Sequence, residues 1–269
     1  MGTPTDDVER RRSKPYAERT GARYWWYRRR GVACDPPSLA LLTDEEWELL
    51  EAWYDETDSK GLAGECGIPA IALLEALIVG GPISRVVQLG HFAGFSALLL
   101  GFALRRMACS RSLFSIDLDP GQSAFAEAWI VRAKLEDHVR IATGDSRDVA
   151  MPRAAADWLG GGAQLVFVDS SHRYGETLEE LDLWYDQLAG GGLILLHDAS
   201  IFAQNFDSTG QGGVHRAARE WTARRGVPAL LLNADLVAGT APERLVYGDP
   251  CGLAIIQKPY GQEQGGRSS

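Results

Sequence analysis

The chain has 269 residues, 45% of them hydrophobic, and a formal net charge of −9. That length suits one large α/β domain with a short extension, and the ordinary apolar share lets it bury a sizeable core. The acidic balance removes the positive field that general nucleic-acid binding needs. The scattered Cys34, Cys66, Cys109 and Cys251 make no CxxC pair, which excludes a zinc frame or disulfide scaffold. No run of 18 apolar residues exists and no apolar stretch follows the first arginines, so the chain is expected to be soluble and cytoplasmic with no membrane partner.

Residues 1–20 are polar and arginine-rich and read as a loosely held arm. The block Tyr24-Trp25-Trp26-Tyr27-Arg28-Arg29-Arg30 follows. Aromatics and arginines together could serve a nucleic acid, but a subunit-contact arm or a lid over a pocket is the preferred reading, and with it a homo-oligomer. Thr43 with Glu46 forms a capping-box pattern that predicts a helix to about Thr57, and Pro69–Val79 predicts a second. From Arg85 onward strands and helices alternate. Strands are expected at Arg85–Leu89, Leu113–Ile116, Val139–Ala142, Leu165–Val168, Leu193–Leu196, Ala229–Leu232 and Gly252–Gln257. Helices are expected at Ser96–Met107, Gly121–Lys134, Thr177–Leu188 and Val214–Arg225. Short continuous apolar strands alternating with helices imply an α/β fold whose parallel sheet is covered on both faces. Ligands of such sheets bind beyond the carboxyl ends of the strands.

The first carboxyl end reads Gln88-Leu89-Gly90-His91-Phe92-Ala93-Gly94-Phe95-Ser96. Gly90 permits a sharp turn with a ligand against the backbone, Gly94 a second close approach, and Ser96 can cap the next helix. The G-x-x-x-G spacing is not that of dinucleotide enzymes, and no phosphate-loop lysine follows. The second end, Ser115-Ile116-Asp117-Leu118-Asp119-Pro120, places an acid 27 residues after Gly90, where its two oxygens could accept from a ribose diol. Asp119 before Pro120 reads as the cap of the following helix. At the third end, Thr143-Gly144-Asp145-Ser146, Asp145 either accepts from an adenine edge or only shapes a turn.

Gly90…Gly94-Phe95-Ser96 followed by Ser115-Ile116-Asp117 resembles the first two motifs of class I methyltransferases that use S-adenosylmethionine. Val166-Phe167-Val168-Asp169-Ser170-Ser171-His172-Arg173-Tyr174 and Leu188-Ala189-Gly190-Gly191-Gly192…His197-Asp198 resemble the subgroup with D-G-x-H-x-Y after the fourth strand and H-D after the fifth. Gly213-Val214-His215-Arg216…Trp221 and Cys251-Gly252-Leu253-Ala254 resemble its last helix and strand. The resemblance spans residues 65–258. It implies a Rossmann-like doubly wound, mostly parallel seven-stranded sheet, with 1–64 as an N-terminal arm and helical extension and 259–269 as a tail. It also implies methyl transfer from S-adenosylmethionine to a hydroxyl of a small molecule, as in antibiotic or sugar tailoring and secondary metabolism. More distantly the chain resembles catechol and caffeoyl-CoA O-methyltransferases. The expected cofactor positions are Gln88, Gly90, His91, Phe92, Gly94, Ser96, Asp117, Leu118, Asp145, Ser146 and Asp169. Gln88 departs from the family's usual acid, Ser170 from a common glycine, and Ala189-Gly190-Gly191 from the usual K-P-G turn. N- or C-methylation, assisted cyclisation, a non-catalytic partner and a nicotinamide enzyme are the alternatives.

Methyl transfer from a sulfonium is an in-line displacement, so the protein must align two groups and manage a hydroxyl proton. His172 is the expected general base, because imidazole titrates near neutral pH, with Asp169 beside it. The alternative is a histidine that only shapes its loop. In metal-dependent relatives the positions of Asp169, His197 and Asp198 hold Mg²⁺. A histidine there suits Mn²⁺, Fe²⁺ or Zn²⁺ better, and metal-free chemistry is the preferred expectation. Ile201–Gly213 is a polar loop placed to close over substrate, with Phe202, Phe206 and Trp25-Trp26 as candidate apolar walls.

Overall fold

The computed structural model describes residues 37–237 and 244–261. The expected arm of residues 1–20, the Tyr24–Arg30 block and the last eight residues lie outside the described residues. After the short helix α1 (Pro37–Ala40), helix α2 (Asp44–Lys60) starts at Thr43 with both halves of the capping box in place. It runs one turn past the expected Thr57 and stops at Gly61, a left-handed residue at φ +67°. Helix α3 (Ile68–Gly80) follows, with Pro69 in its first turn.

The alternating part then unfolds as expected. Strands β1 (Val86–Leu89), β2 (Leu113–Asp117), β3 (Val139–Thr143), β4 (Leu165–Val168) and β5 (Leu193–His197) are all parallel. Strands β6 (Ala229–Leu232) and β7 (Leu253–Gln257) complete a seven-stranded sheet of order β3-β2-β1-β4-β5-β7-β6, in which β7 runs antiparallel to both neighbours. The wholly buried runs of β1 and β4 are the residues a sheet covered on both faces requires.

Helices α4 (Phe95–Arg106) and α5 (Pro120–Arg132) cover one face; α6 (Met151–Leu159), α7 (Tyr174–Gln187) and α8 (Gly213–Arg225) cover the other. Helix α6 was not expected: its nine residues carry three alanines and a proline, too short a pattern to stand out. Trp53 and Ile71 share one core with Phe102 of α4, so packing runs unbroken across the boundary expected at residue 64. Glu46 of α2, almost fully buried, pairs with Arg105 and Arg106 of α4.

Strand order reverses between β1 and β4, so the loops leaving those two strands splay apart and open a crevice. Gly90 and Asp169 are the first residues past those strands. The topology therefore fixes where the chemistry sits.

Candidate active site

The chain turns at Gly90 with φ +85°. A Cβ there would stand 1.9 Å from the carbonyl oxygen of Asp169 and 2.9 Å from Cα of Ser170. The close approach expected from a ligand is made first by the neighbouring loop's own backbone. Gly94, φ +86°, likewise faces Ala126 of α5, 3.0 Å from where its Cβ would be.

Two expected cofactor residues bond each other here, and of the two Ser96 lines the cavity. Gln88 is fully buried and outside the cavity lining; its amide donates to the Gly90 carbonyl at 2.9 Å and to Ser96 Oγ. Ser96 is thereby drawn under the loop and does not cap α4, whose N-terminal residue Gly94 offers no side chain. The pair braces the turn from beneath.

His91 also differs in role. Its ring is wedged between Ser115 Oγ and Ser123 Oγ, each 3.1 Å away, and burial pulls its pKa down to about 4. The imidazole is a neutral strut between β2 and α5, while its backbone faces the cavity. Asp117 binds the two turns together: Oδ2 accepts from the amides of His91 (3.1 Å) and Phe92 (2.8 Å), and Oδ1 from that of Asp119 (2.9 Å). Oδ1, with one bond, keeps a second lone pair for a ligand. Asp119 caps α5 as expected.

A cavity of about 420 Å³ opens over these turns, lined by Gly90–Ala93, Asp117, Leu118, Gly144–Arg147, Asp169–His172, Glu176 and Glu180, with Ala63–Cys66 on one side. Leu118 stands exposed at its rim. Asp145 lines the cavity and also forms its own turn. Both its oxygens bond Arg147, at 2.9 and 2.7 Å, and the guanidinium holds the carboxyl below its usual range. The Arg147 amide also bonds Asp145 Oδ1, so the turn-forming alternative describes it. Ser146 instead points at Glu180, a buried acid of α7 that also receives Ser170 Oγ at 2.8 Å. Burial pushes the Glu180 carboxyl up to about 7, against the pull of those hydroxyls. Sequence reading missed Glu180 although the signal existed: it lies three residues after Thr177 and four before Trp184, on the buried stripe of α7.

Beyond β4 and β5 the groups are charged and close. His172 Nε2 lies 3.0 Å from Asp198 Oδ2 and 3.7 Å from Asp169 Oδ1; His197 Nδ1 lies 3.3 Å from each of those oxygens. His197 Nε2 meets Asp249 Oδ2 at 2.8 Å, and Asp249 is itself set by Asn233 and the Cys251 amide. Asp249, just before β7, was also missed; nothing local marks it. Phe92, His172 and Asp198 hold left-handed φ values of +44°, +60° and +60°, strain tolerated where surroundings over-determine the backbone. Burial alone would lower the pKa of His172, but hydrogen bonds to Asp169 and Asp198 outweigh it and raise it to about 10. His197 is raised too, its three carboxylates overcoming burial, and Asp198 is lowered because both imidazoles overcome its burial. In this arrangement the two carboxylates favour the protonated form of His172.

The same donor set fits a divalent metal. Ligand atoms of Asp169, His172 and Asp198 lie within 4.8 Å of one another, and His197 Nδ1 faces the same carboxylate oxygens. Two imidazoles beside two carboxylates favour a transition ion over Mg²⁺. The Ile201–Gly213 loop folds as a 3₁₀ turn (Phe202–Phe206) closed by Asp207, which accepts from the amides of Thr209, Gln211 and Gly213. Phe206 rests 5.9 Å from the His172 ring.

Residues 87–199 match the family model described as a methyltransferase domain. No curated protein matches the chain. Among solved structures it is similar to an O-methyltransferase from Bacillus cereus in complex with SAH, with TM-score 0.62, 16% identity, and coverage of 81% of this chain and 93% of that one. It is also similar to the O-methyltransferase TomG from Streptomyces achromogenes, involved in tomaymycin synthesis and in complex with SAM (0.59, 19%, 81% and 91%). A third similar structure is the SAH-bound methyltransferase PaMTH1 from Podospora anserina (0.58, 13%, 96% and 97%). These likenesses bear on the fold. The family match falls on the strands and loops that build the crevice, so residues 87–199 are similar to a methyltransferase domain.

Proposed function

We propose that the chain transfers a methyl group from S-adenosylmethionine to a hydroxyl of a small molecule, a natural product, sugar or phenol. The observation that carries this is one open cavity joining the Gly90–Gly94 turn, the Asp117 carboxylate and the Asp169–His172 cluster. Solved neighbours crystallised with SAM or SAH support the cofactor, and two of those are O-methyltransferases. On this reading Asp117 takes the ribose diol, the backbone of Gly90–Phe92 lies along the amino-acid part, and Asp169 and His172 face the reacting end. Leu118 walls the rim.

A divalent ion held by Asp169, Asp198 and the imidazoles of His172 and His197 would neutralise the carboxylates and polarise an acceptor hydroxyl. The residues themselves position the acceptor: His172 presents a hydrogen-bond donor, and Asp169 and Asp198 present acceptors for a hydroxyl proton. His172 becomes a base only once its own ring proton has left, and Asp169 and Asp198 oppose that loss. Antibiotic tailoring, a cytoplasmic setting and a homo-oligomer belong to the same proposal; sedimentation of the full chain tests the last. Among the described residues no helix is long and apolar enough to cross a membrane.

Calorimetry tests the cofactor. S-adenosylhomocysteine should bind, NAD should not, and Asp117→Ala should weaken S-adenosylhomocysteine by about tenfold or more. Unchanged binding in that variant removes Asp117 from the ribose contact. Turnover over a panel of hydroxyl, amine and carbon acceptors, with and without EDTA, then separates O-methylation from its alternatives and shows whether a metal takes part.

A further inference from the structure

The proposed adenosyl site contains a polar device that the motifs do not reveal. Ser146 follows β3 and Ser170 follows β4, on loops 24 residues apart in sequence, and Glu180 of α7 ties them together. Ser146 Oγ bonds Glu180 Oε1 and Ser170 Oγ bonds Glu180 Oε2 at 2.8 Å. All three line the cavity, and Glu180 is 1% exposed. The backbone of Ser146 is fixed in turn, because Trp184 Nε1 donates to its carbonyl at 2.9 Å.

An ionised carboxylate only accepts hydrogen bonds, so both serine protons must point at Glu180. What each hydroxyl has left for the cavity is lone pairs. Asp145, the neighbouring acid that could have accepted from a base, is committed to Arg147. The two serine oxygens are therefore acceptors at this wall, and their polarity is set by one buried acid.

We propose that Glu180 is a positioning residue for nucleobase specificity: it holds Ser146 and Ser170 as hydrogen-bond acceptors that take the exocyclic amine of adenine and reject a base carrying a carbonyl there. This rests on the reading that the cavity binds the adenosyl group. Adenine presents an N–H₂ donor at its six position, whereas hypoxanthine presents an oxygen acceptor. Against two fixed acceptors that oxygen stays unpaired in a desolvated place, and sites built around a hydrogen bond reject analogues that lack it. Replacing Glu180 with glutamine changes the polarity. Its amide oxygen accepts from one serine while its NH₂ donates to the other, whose own proton becomes free to face the cavity.

The test uses calorimetry on the full chain at pH 8 with S-adenosylhomocysteine and its deaminated counterpart, S-inosylhomocysteine. Wild type should prefer the adenosyl form by about 100-fold. Glu180→Gln should cut that preference by about tenfold or more, chiefly by binding the inosyl form more tightly, a gain that mere loosening of the fold would not produce. Ser146→Ala, which keeps Glu180 and its bond to Ser170, should weaken the adenosyl form and spare the inosyl form. If Glu180→Gln and Ser146→Ala both keep the wild-type ratio, the polarity proposal is overturned and the cofactor reading stands. If wild type binds neither compound, the cofactor reading itself falls and takes the proposal with it.

Discussion

The two halves of the crevice are built by different means. Over β1 and β2 the site is mostly backbone: glycines with positive φ, amides converging on Asp117, and a neutral His91 strut. Over β4, β5 and the approach to β7 it is side chains, with Asp169, His172, His197, Asp198 and Asp249 linked within 3.7 Å of one another in a chain of contacts. A backbone-built half holds a ligand by shape and tolerates little insertion. A side-chain-built half can exchange protons and charge, and its parts come from distant positions. Binding and turnover should thus fail separately.

Gly90→Ala should be the most damaging single change, because its Cβ would overlap the carbonyl of Asp169, a residue whose amide is tied to the Leu89 carbonyl at 2.8 Å. Neither backbone can yield without moving both strands' exits. S-adenosylhomocysteine affinity and turnover should both drop by about 100-fold or more, read by calorimetry and a methyl-transfer assay. Affinity within about threefold of wild type would show that the two loops are not packed this way.

Next in size, His172→Ala should lower turnover by about 10²–10⁴-fold while leaving S-adenosylhomocysteine affinity nearly unchanged. Such a split places His172 with the reacting groups. Equal losses in both would merge the two halves into one and make the histidine a loop-shaping residue.

How much of this could be read without coordinates follows the same division. The sheet and the strand-end turns at Gly90, Gly94, Asp117 and Asp169 were legible, since turn chemistry and apolar runs are local properties, whereas the strand order is tertiary. Gln88, Ser96, His91 and Asp145 sit where the motif puts them, but their side chains bond Gly90, Ser115, Ser123 and Arg147. A motif specifies a position, whereas a hydrogen-bond partner depends on tertiary packing. Asp249 stands 52 residues beyond its partner His197, and no local pattern encodes that distance. Glu180 was accessible in principle, as an acid on the apolar stripe of α7.

Glu180 also gives the adenosyl side its own titration. Its folded pKa is raised to about 7 from the ordinary 4.5, by burial. A carboxyl whose folded pKa is raised contributes stability below about pH 4.5, where it is protonated in both states, and loses it as pH climbs to about 7. The loss amounts to about 3 kcal/mol. Denaturant unfolding between pH 5 and 8 should therefore show wild type weakening relative to Glu180→Gln, with the two closest at the acid end. Parallel profiles would mean that the carboxyl is better solvated than its surroundings indicate.

The smallest expected effect sharpens the comparison most. Asp249→Asn keeps the size of the side chain but replaces the carboxylate that accepts from His197 Nε2 at 2.8 Å. An imidazole held by a carboxylate on one nitrogen presents the other in a fixed direction, and loss of such a partner costs about 10–100-fold in function. Asp249 does not line the cavity, so S-adenosylhomocysteine affinity should stay at the wild-type value while turnover falls by about tenfold. If affinity falls and turnover per bound cofactor does not, the influence of Asp249 passes through Gly67, whose Cβ position lies 3.4 Å from its carboxylate beside the cavity wall at Ala63–Cys66. In that case the line between the two halves runs along residues 63–67 and not between β1 and β4.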